Sequence, residues 1–128
     1  MSTPAKPLPG QIMWCDLTVP DATAVRDFYQ SVAGWTASGF DMGGYQDYGM
    51  NAPGSPKAVA GICHARGGNA GQPPVWMIYI TVADLDESLR QCEAKGGKLL
   101  SPVRSMPEGR YAVIQDPAGA AAALFQTA

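Results

Sequence analysis

The 128-residue sequence lacks the patterns that mark several large classes of protein. It has no run of about 18 apolar residues, the length that a membrane-spanning helix requires. Nine Lys and Arg residues are scattered along the chain against eleven Asp and Glu, so a basic surface for nucleic acid is not expected. The opening segment, residues 1–10, lacks the apolar stretch of a secretory signal. We therefore expect a cytoplasmic protein with neither a membrane nor a nucleic-acid partner.

Residues that carry common catalytic and metal chemistry are also few. The cysteines form no CxxC pair, and their odd number argues against a disulfide framework; they are Cys15, Cys63 and Cys92. Neither a GxxxxGK phosphate loop nor a GxSxG elbow is present. The only histidine, His64, directly follows Cys63 on a predicted strand, so the two side chains point to opposite faces and are not expected to share an ion. We expect no metal site and no cofactor.

What the chain does have is an ordinary hydrophobic content of 46%, with 15 Gly and 11 Pro that fall in clusters. A chain of this length forms one domain and buries roughly two-thirds of its unfolded surface. The densest Gly and Pro cluster, residues 66–74, lies near the midpoint and is interpreted as a linker. The resulting organisation is a flexible N-terminal segment over 1–10 and a single domain over 11–126. Within it we predict a first module over about 11–66, a linker over 67–74 and a second module over about 75–126.

The two halves repeat each other at a shift of 63 residues. The segment WCDLTVPD at 14–21 aligns with MIYITVAD at 77–84, and Gly34 aligns with Gly97. In each copy a strand leads directly into a helix, and three short strand-like runs follow. The runs are 35–40, 44–50 and 58–65 in the first half, then 98–104, 110–115 and 120–126 in the second. The sequence therefore predicts an α+β fold built from two βαβββ modules.

Both helices carry signals at their ends. The first is predicted to begin after Asp21 as N-cap and to end at Gly34, with an apolar stripe of Val25, Phe28, Tyr29 and Val32. The second has Asp84 as N-cap and Glu87 in the capping-box place, and it stops at Gly96–Gly97. Its apolar stripe consists of Leu85, Leu89 and Cys92.

The first strand of each module has two different faces. One face is apolar and is expected to lie against the helix, with Met13, Cys15, Leu17 and Val19 in the first copy and Ile78, Ile80 and Val82 in the second. The other face mixes aromatic rings, Met, hydroxyls and one carboxylate, a mixture typical of a ligand cleft. The predicted ligand-binding residues are Trp14, Asp16, Thr18, Met77, Tyr79 and Thr81, with Ala123 and Phe125 on the last strand.

The order and spacing of these segments, with Asp116-Pro-Ala-Gly119 before the last strand, resembles the vicinal oxygen chelate superfamily. That superfamily includes glyoxalase I, extradiol dioxygenases and the bleomycin resistance proteins. The resemblance extends from about Gln11 to Gln126. It implies two cup-shaped, mixed four-stranded sheets around a shared cleft, in a protein that is usually a homodimer.

Enzymes of that superfamily hold a divalent metal through His on the first strand and Glu on the last strand of each module. By resemblance, the His positions fall on Trp14 and Met77, one Glu position on Ala123 and the other on Ala60 or Gly61. None of these residues offers the imidazole, carboxylate or thiolate donor that a hard or borderline cation needs. Methionine sulfur alone selects soft metals. The resemblance therefore implies a module without its metal.

Without a metal, catalysis needs a titratable group, and Asp16 and Tyr79 are the candidate catalytic residues. Desolvation beside Trp14 would raise the pKa of Asp16 toward that of a general base. Alternatively, Asp16 binds a cationic or hydrogen-bond-donating ligand, or pairs with Arg110 or a lysine. Tyr79 either donates a hydrogen bond or stacks. Arg110 is interpreted as a surface arginine, with contact to an anionic ligand group as the alternative. His64 is interpreted as a partly exposed residue at a strand end. The composition of the 44–50 strand leaves open which of its faces lines the cleft.

Three functions follow from these residues. The first is binding of a small planar or aromatic organic molecule in a metal-free cleft, for sequestration or resistance. The second is a metal-independent lyase, isomerase or epimerase with Asp16 as base. The third is a metal-dependent glyoxalase-like lyase or dioxygenase whose ligands lie elsewhere. The sequence does not identify the ligand, and it does not decide whether the modules pair within one chain or swap between two.

Overall fold

The computed structural model describes residues 6–128, so residues 1–5 of the predicted N-terminal segment lie outside it. Within this range the chain forms nine β-strands, two α-helices and a short 3-10 helix, Gly67–Asn69, in the predicted linker. Its residues divide into two compact units. The first unit comprises residues 14–76, and the second comprises residues 77–128 together with residues 6–13. The predicted α+β fold of two βαβββ modules is confirmed.

The first unit contains one helix and a four-stranded mixed sheet. Along the chain its elements are β1 (Ile12–Val19), α1 (Ala22–Ala33), β2 (Thr36–Asp41), β3 (Gln46–Asn51) and β4 (Ala58–His64). The strands lie in the order β2-β3-β4-β1, with β1 parallel to β4 and the other pairs antiparallel. A parallel return needs a long connection between the strands, and here α1, β2 and β3 provide it.

Helix α1 begins and ends where the sequence predicts. The Asp21 carboxylate accepts a hydrogen bond from the Ala24 amide at 3.0 Å, and Gly34 ends the helix with φ of 73°. The predicted apolar stripe is only partly correct. Tyr29 packs against the core, as does Val25 one turn earlier, but Phe28 is 55% exposed and Val32 is 66% exposed. The part of α1 that packs on the core is therefore narrower than the predicted apolar stripe.

The core of the first unit lies between α1 and the sheet. Leu17 and Val19 of β1 and Ile62 of β4 are buried there. This confirms that the helix packs on the aliphatic face of β1. Strand β3 contributes Tyr48 and Met50 to the same core. This settles the orientation of β3, because the residues between them must then project from the opposite face of the sheet.

The second unit repeats the arrangement with an additional short strand. Its elements are β5 (Trp76–Thr81), α2 (Leu85–Ala94), β6 (Lys98–Leu99), β7 (Arg104–Met106), β8 (Gly109–Gln115) and β9 (Ala121–Thr127). Strand β5 is parallel to β9, β9 is antiparallel to β8, and β6 and β7 both pair with β8. The N-terminal residues join this unit, because the Thr81 amide donates to Gln11 O at 2.8 Å and Gly10 N donates to Thr81 O at 2.7 Å.

The single strand predicted over 98–104 is wrong, since two short strands occupy this region. Between them, Leu100 N donates to Val113 O, and the Ser101 hydroxyl accepts from Val113 N at 2.9 Å. A side chain thus takes the place of a backbone acceptor at this point. Pro102 follows and has no N–H to offer the ladder. Pairing with β8 resumes only at Arg104.

Helix α2 is capped by Asp84, whose carboxylate accepts from Glu87 N at 3.1 Å. The side chain of Glu87 does not complete a capping box. Its two oxygens accept instead from Arg90 Nε at 2.9 Å and from Gln91 Nε2 at 3.1 Å. Leu85 is fully buried, and its amide donates to the Gln126 side chain at 2.8 Å, which ties the start of the helix to β9. In the described part of the chain, neither helix is long and apolar enough to span a membrane.

Strands β8 and β9 approach so closely at Gly109 that a side chain there has no room. A Cβ atom there would strike the carbonyl oxygen of Gln126 and lie 3.0 Å from Thr127 Cα, both of them backbone atoms that cannot rotate away. We expect Gly109→Ala to lower the free energy of unfolding by about 2–3 kcal/mol, measured by urea denaturation. The control is Gly39→Ala, whose added methyl meets only the flexible end of Gln46. Equal denaturation midpoints for the two variants would contradict the predicted clash between a Cβ at position 109 and the backbone of β9.

Candidate functional site

In the first unit, the sheet face opposite α1 carries the residues predicted for ligand binding. Asp16 is the register partner of Gly61, and Thr18 is the partner of Cys63, so these side chains share one face with Trp14. The Trp14 indole lies over Gly61. A Cβ at that glycine would be 3.3 Å from Trp14 Cζ2 and 3.2 Å from Asp16 Cβ. Glycine at this position therefore leaves the space that the ring occupies.

The residues at the superfamily's metal positions do not fit a metal. Of the two alternatives for the first Glu position, Gly61 shares the face of Trp14, whereas Ala60 lies on the buried, helix-covered side. In the second unit, Met77 and Ala123 pack against Val113 in an apolar cluster. These positions present an indole, a thioether, a methyl group and a bare backbone. Across residues 6–128, no three or more His, Cys, Asp and Glu side chains form a group that could hold a metal ion.

Two carboxylates and a thiol occupy the same face of the first sheet. Burial raises the pKa of Cys63 most, and together with the negative charges of Asp16 and Asp47 and a hydrogen bond with Asp47 it brings the pKa to about 12. Asp47 is 6% exposed and accepts from His64 N at 2.8 Å. Because the thiolate is the nucleophilic form, Cys63 is unreactive near neutral pH. Of the two residues predicted to be catalytic, Asp16 is the one that lies on this face.

His64 is the last residue of β4, as expected from its position before the linker. Its ring is more enclosed than a strand-end residue usually is, with the side chain 13% exposed. Nδ1 lies 2.8 Å from Gln46 O and 3.4 Å from the Asp47 carboxylate. Since a carbonyl oxygen only accepts, Nδ1 carries the proton. This histidine therefore anchors the end of β4 to the start of β3.

In the second unit, five predicted residues share the sheet face opposite α2. Tyr79 is the register partner of Ala123, and Thr81 is the partner of Phe125. Met77 belongs to the same face by alternation along β5. It is 1% exposed and packs with the fully buried Ala123, while the half-buried Tyr79 borders this apolar base. The structure thus brings together the second-module residues that the sequence selected.

Strands β8 and β7 add residues to this face that sequence reasoning missed. Tyr111 lies opposite Phe125, and its ring centroid is 5.9 Å from that of Tyr79. Arg104 in turn lies opposite Tyr111. Arg110 is on the other face, where it contacts Asp86 at 3.5 Å, as expected for a surface arginine. The alternation of side chains along residues 109–115 could have predicted that Tyr111 shares a face with Val113.

The chain is similar to known proteins over most of its length. A family profile described as the glyoxalase/bleomycin resistance protein/dioxygenase superfamily matches residues 11–124. The anthracycline biosynthesis protein DnrV of Streptomyces peucetius is 34% identical over 92% of this chain and 47% of its own length. A Mycobacterium bovis protein with the provisional name glyoxylase CFP32 is 37% identical over 91% of this chain and 46% of its own. The chain thus spans about half the length of these relatives.

A solved structure shows the same fold at low sequence identity. Methylmalonyl-CoA epimerase from Mycobacterium tuberculosis superposes with a TM-score of 0.56 at 19% identity, covering 98% of this chain and 93% of that one. At this identity the likeness concerns the fold alone.

The contact of Trp14 with Gly61 can be tested by adding one methyl group. In Gly61→Ala the new Cβ forces the indole to move by a few tenths of an ångström, and we expect a loss of about 1–2 kcal/mol in stability. The 19F NMR resonance of 5-fluorotryptophan at Trp14, assigned with Trp14→Phe, should shift. The matched control is Gly49→Ala on the neighbouring strand, where the methyl meets the Phe40 ring instead. A Trp14 resonance that moves equally in both variants would contradict the described packing.

Proposed function

Because this chain belongs to the glyoxalase/bleomycin resistance protein/dioxygenase superfamily, we propose that it binds a small planar organic molecule without a metal ion and acts by sequestering it. The proposed site is the second-unit sheet face that carries Tyr79 and Tyr111. The observation that supports it is the composition of this face, with an apolar base of Met77, Val113 and Ala123 and two half-buried tyrosine rings beside it. Flat apolar area with a few hydroxyl groups is what a planar ring system needs.

Chemical arguments favour binding over turnover. The superfamily's metal positions hold no suitable donor, so this chain's own residues do not build the Lewis-acid centre. The raised pKa of Cys63 makes its thiol a poor nucleophile near neutral pH. The name of the Streptomyces relative points to polycyclic aromatic chemistry, which agrees with a ligand of fused rings. The ligand proposed here is therefore an aromatic molecule of about two to four fused rings, a size that a typical small-molecule pocket can hold.

Binding of a neutral tricyclic probe tests this function. We expect anthraquinone-2-carboxamide to bind saturably, with one site per chain, in isothermal titration calorimetry. Tyr79→Ala should weaken binding about tenfold, because it removes one aromatic contact worth about 1–1.5 kcal/mol. Treatment with EDTA should leave the dissociation constant unchanged.

Tyr45→Ala is the matched control for that experiment. Tyr45 belongs to the first unit, where its ring packs against His64 and Arg66. This variant should bind the probe like the unchanged protein. Absence of saturable binding, an equal loss in both tyrosine variants, or loss of binding on metal removal would each overturn the proposal.

A second candidate function rests on Asp16. This residue lies beside the Trp14 ring, and its charge acts on Cys63, so its carboxylate belongs to the same half-buried surface. A carboxylate placed among apolar groups is suited to abstract an activated proton in a metal-independent isomerase or epimerase.

Racemisation of a phenyl-substituted thioester separates this candidate from sequestration. If Asp16 is a base, the protein will racemise the N-acetylcysteamine thioester of (S)-2-phenylpropionic acid. The loss of enantiomeric excess is measured by chiral chromatography. Asp16→Asn should then lower the rate by about 10²–10⁴-fold while probe binding persists. Asp41→Asn, at an exposed carboxylate on β2, is the control. A rate at the buffer level, or one unaffected by Asp16→Asn, would reject base catalysis on this substrate class.

A further inference from the structure

One row of side chains crosses the sheet of the second unit. Thr81 of β5 pairs with Phe125 of β9, Phe125 with Tyr111 of β8, and Tyr111 with Arg104 of β7. Residues directly opposite each other on neighbouring strands project from the same face. All four side chains therefore belong to the face that carries Tyr79. Since adjacent strands lie about 4.8 Å apart, the row is about 14 Å long.

Both ends of this row carry a buried polar atom that lacks a partner. Thr81 Oγ1 and Arg104 Nε are the two buried side-chain polar atoms for which the described residues provide no hydrogen bond. Thr81 is 2% exposed, so its hydroxyl cannot turn to bulk water. Leaving such a group unpaired destabilises the fold, because its desolvation is not offset by a hydrogen bond. Buried groups of this kind need an explanation, and a bound molecule that completes the missing bonds is one.

Arg104 differs from the other arginines of the chain in its surroundings. Each of the other four has a carboxylate or an aromatic ring as partner: Arg26 contacts Asp27, Arg66 stacks on Tyr45, Arg90 contacts Glu87, and Arg110 contacts Asp86. Among residues 6–128 no such ion pair or ring contact is found for Arg104. Its guanidinium is always charged and keeps a buried N–H without an acceptor. Among the described residues, no carboxylate thus forms an ion pair with the Arg104 guanidinium.

We propose that Arg104 binds a carboxylate of the ligand, and that the ligand is an aromatic acid rather than a neutral ring system. The inference rests on the proposed function, because it places the ring system along Tyr111 and Phe125. A carboxylate accepts two parallel hydrogen bonds from a guanidinium, and such charged bonds are roughly twice as strong as neutral ones. At the other end of the row, the Thr81 hydroxyl is placed to bond a hydroxyl or carbonyl oxygen of the same molecule.

A matched pair of probes tests the assignment. Anthraquinone-2-carboxylate and anthraquinone-2-carboxamide share their rings and differ in charge. By calorimetry at pH 7 the unchanged protein should bind the carboxylate at least tenfold more tightly. Arg104→Gln should bring the ratio of the two dissociation constants to about one while leaving amide binding within twofold. Arg104→Lys, which keeps the charge but not the fork of donors, should restore part of the preference.

Arg110→Gln is the control, because it removes an arginine from the opposite face of the same sheet. It should keep the full preference for the carboxylate. If both probes bind equally to the unchanged protein, or if the preference survives in Arg104→Gln, the role of Arg104 is wrong while the proposed function stands. If neither probe binds saturably, the proposed function fails and this inference fails with it.

Discussion

Two parallel strand pairs, β1 with β4 and β5 with β9, decide which side chains the helices cover and which they leave on the other side of the sheet. In the first unit β1 runs into a helix that packs back on its aliphatic face, and in both units the first strand leads into a helix. The parallel register then fixes which residue of the last strand stands beside each residue of the first. Asp16 is thereby placed next to Gly61, and Tyr79 next to Ala123. The composition of the two faces opposite the helices follows from this constraint.

Much of the fold was predictable because its signals are local. The caps at Asp21 and Asp84 and the left-handed Gly34 are short-range features, and a repeat at a fixed shift confirms each copy against the other. The errors arose where neighbours outside the segment decide. Phe28 is apolar, but the fold leaves it 55% exposed. The break in the 98–104 strand depends on the Ser101 hydroxyl replacing a backbone acceptor, which the residue pattern alone does not reveal.

The residues of the candidate site were predictable to the extent that strands are long enough to alternate. Strand β5 has six residues and shows its two faces plainly, so Met77, Tyr79 and Thr81 were selected together. Strand β7 has three residues, too few to show a period, and Arg104 was missed for that reason. Only pairing with β8 assigns it to the face of Tyr111. Pairing likewise chooses Gly61 over Ala60, which sequence spacing had left open.

The contact between Trp14 and Gly61 also bears on how such a chain changes over evolutionary time. A Glu side chain at 61 has no room while the indole covers that position, and a His at 14 alone would stand over a bare glycine with nothing to share an ion. Either replacement made singly therefore brings a steric or chemical penalty without a benefit. Only the two together would lead back toward a chelating module. The indole over Gly61 thus couples the two positions, so neither can gain a metal donor by a single substitution without a steric or chemical cost.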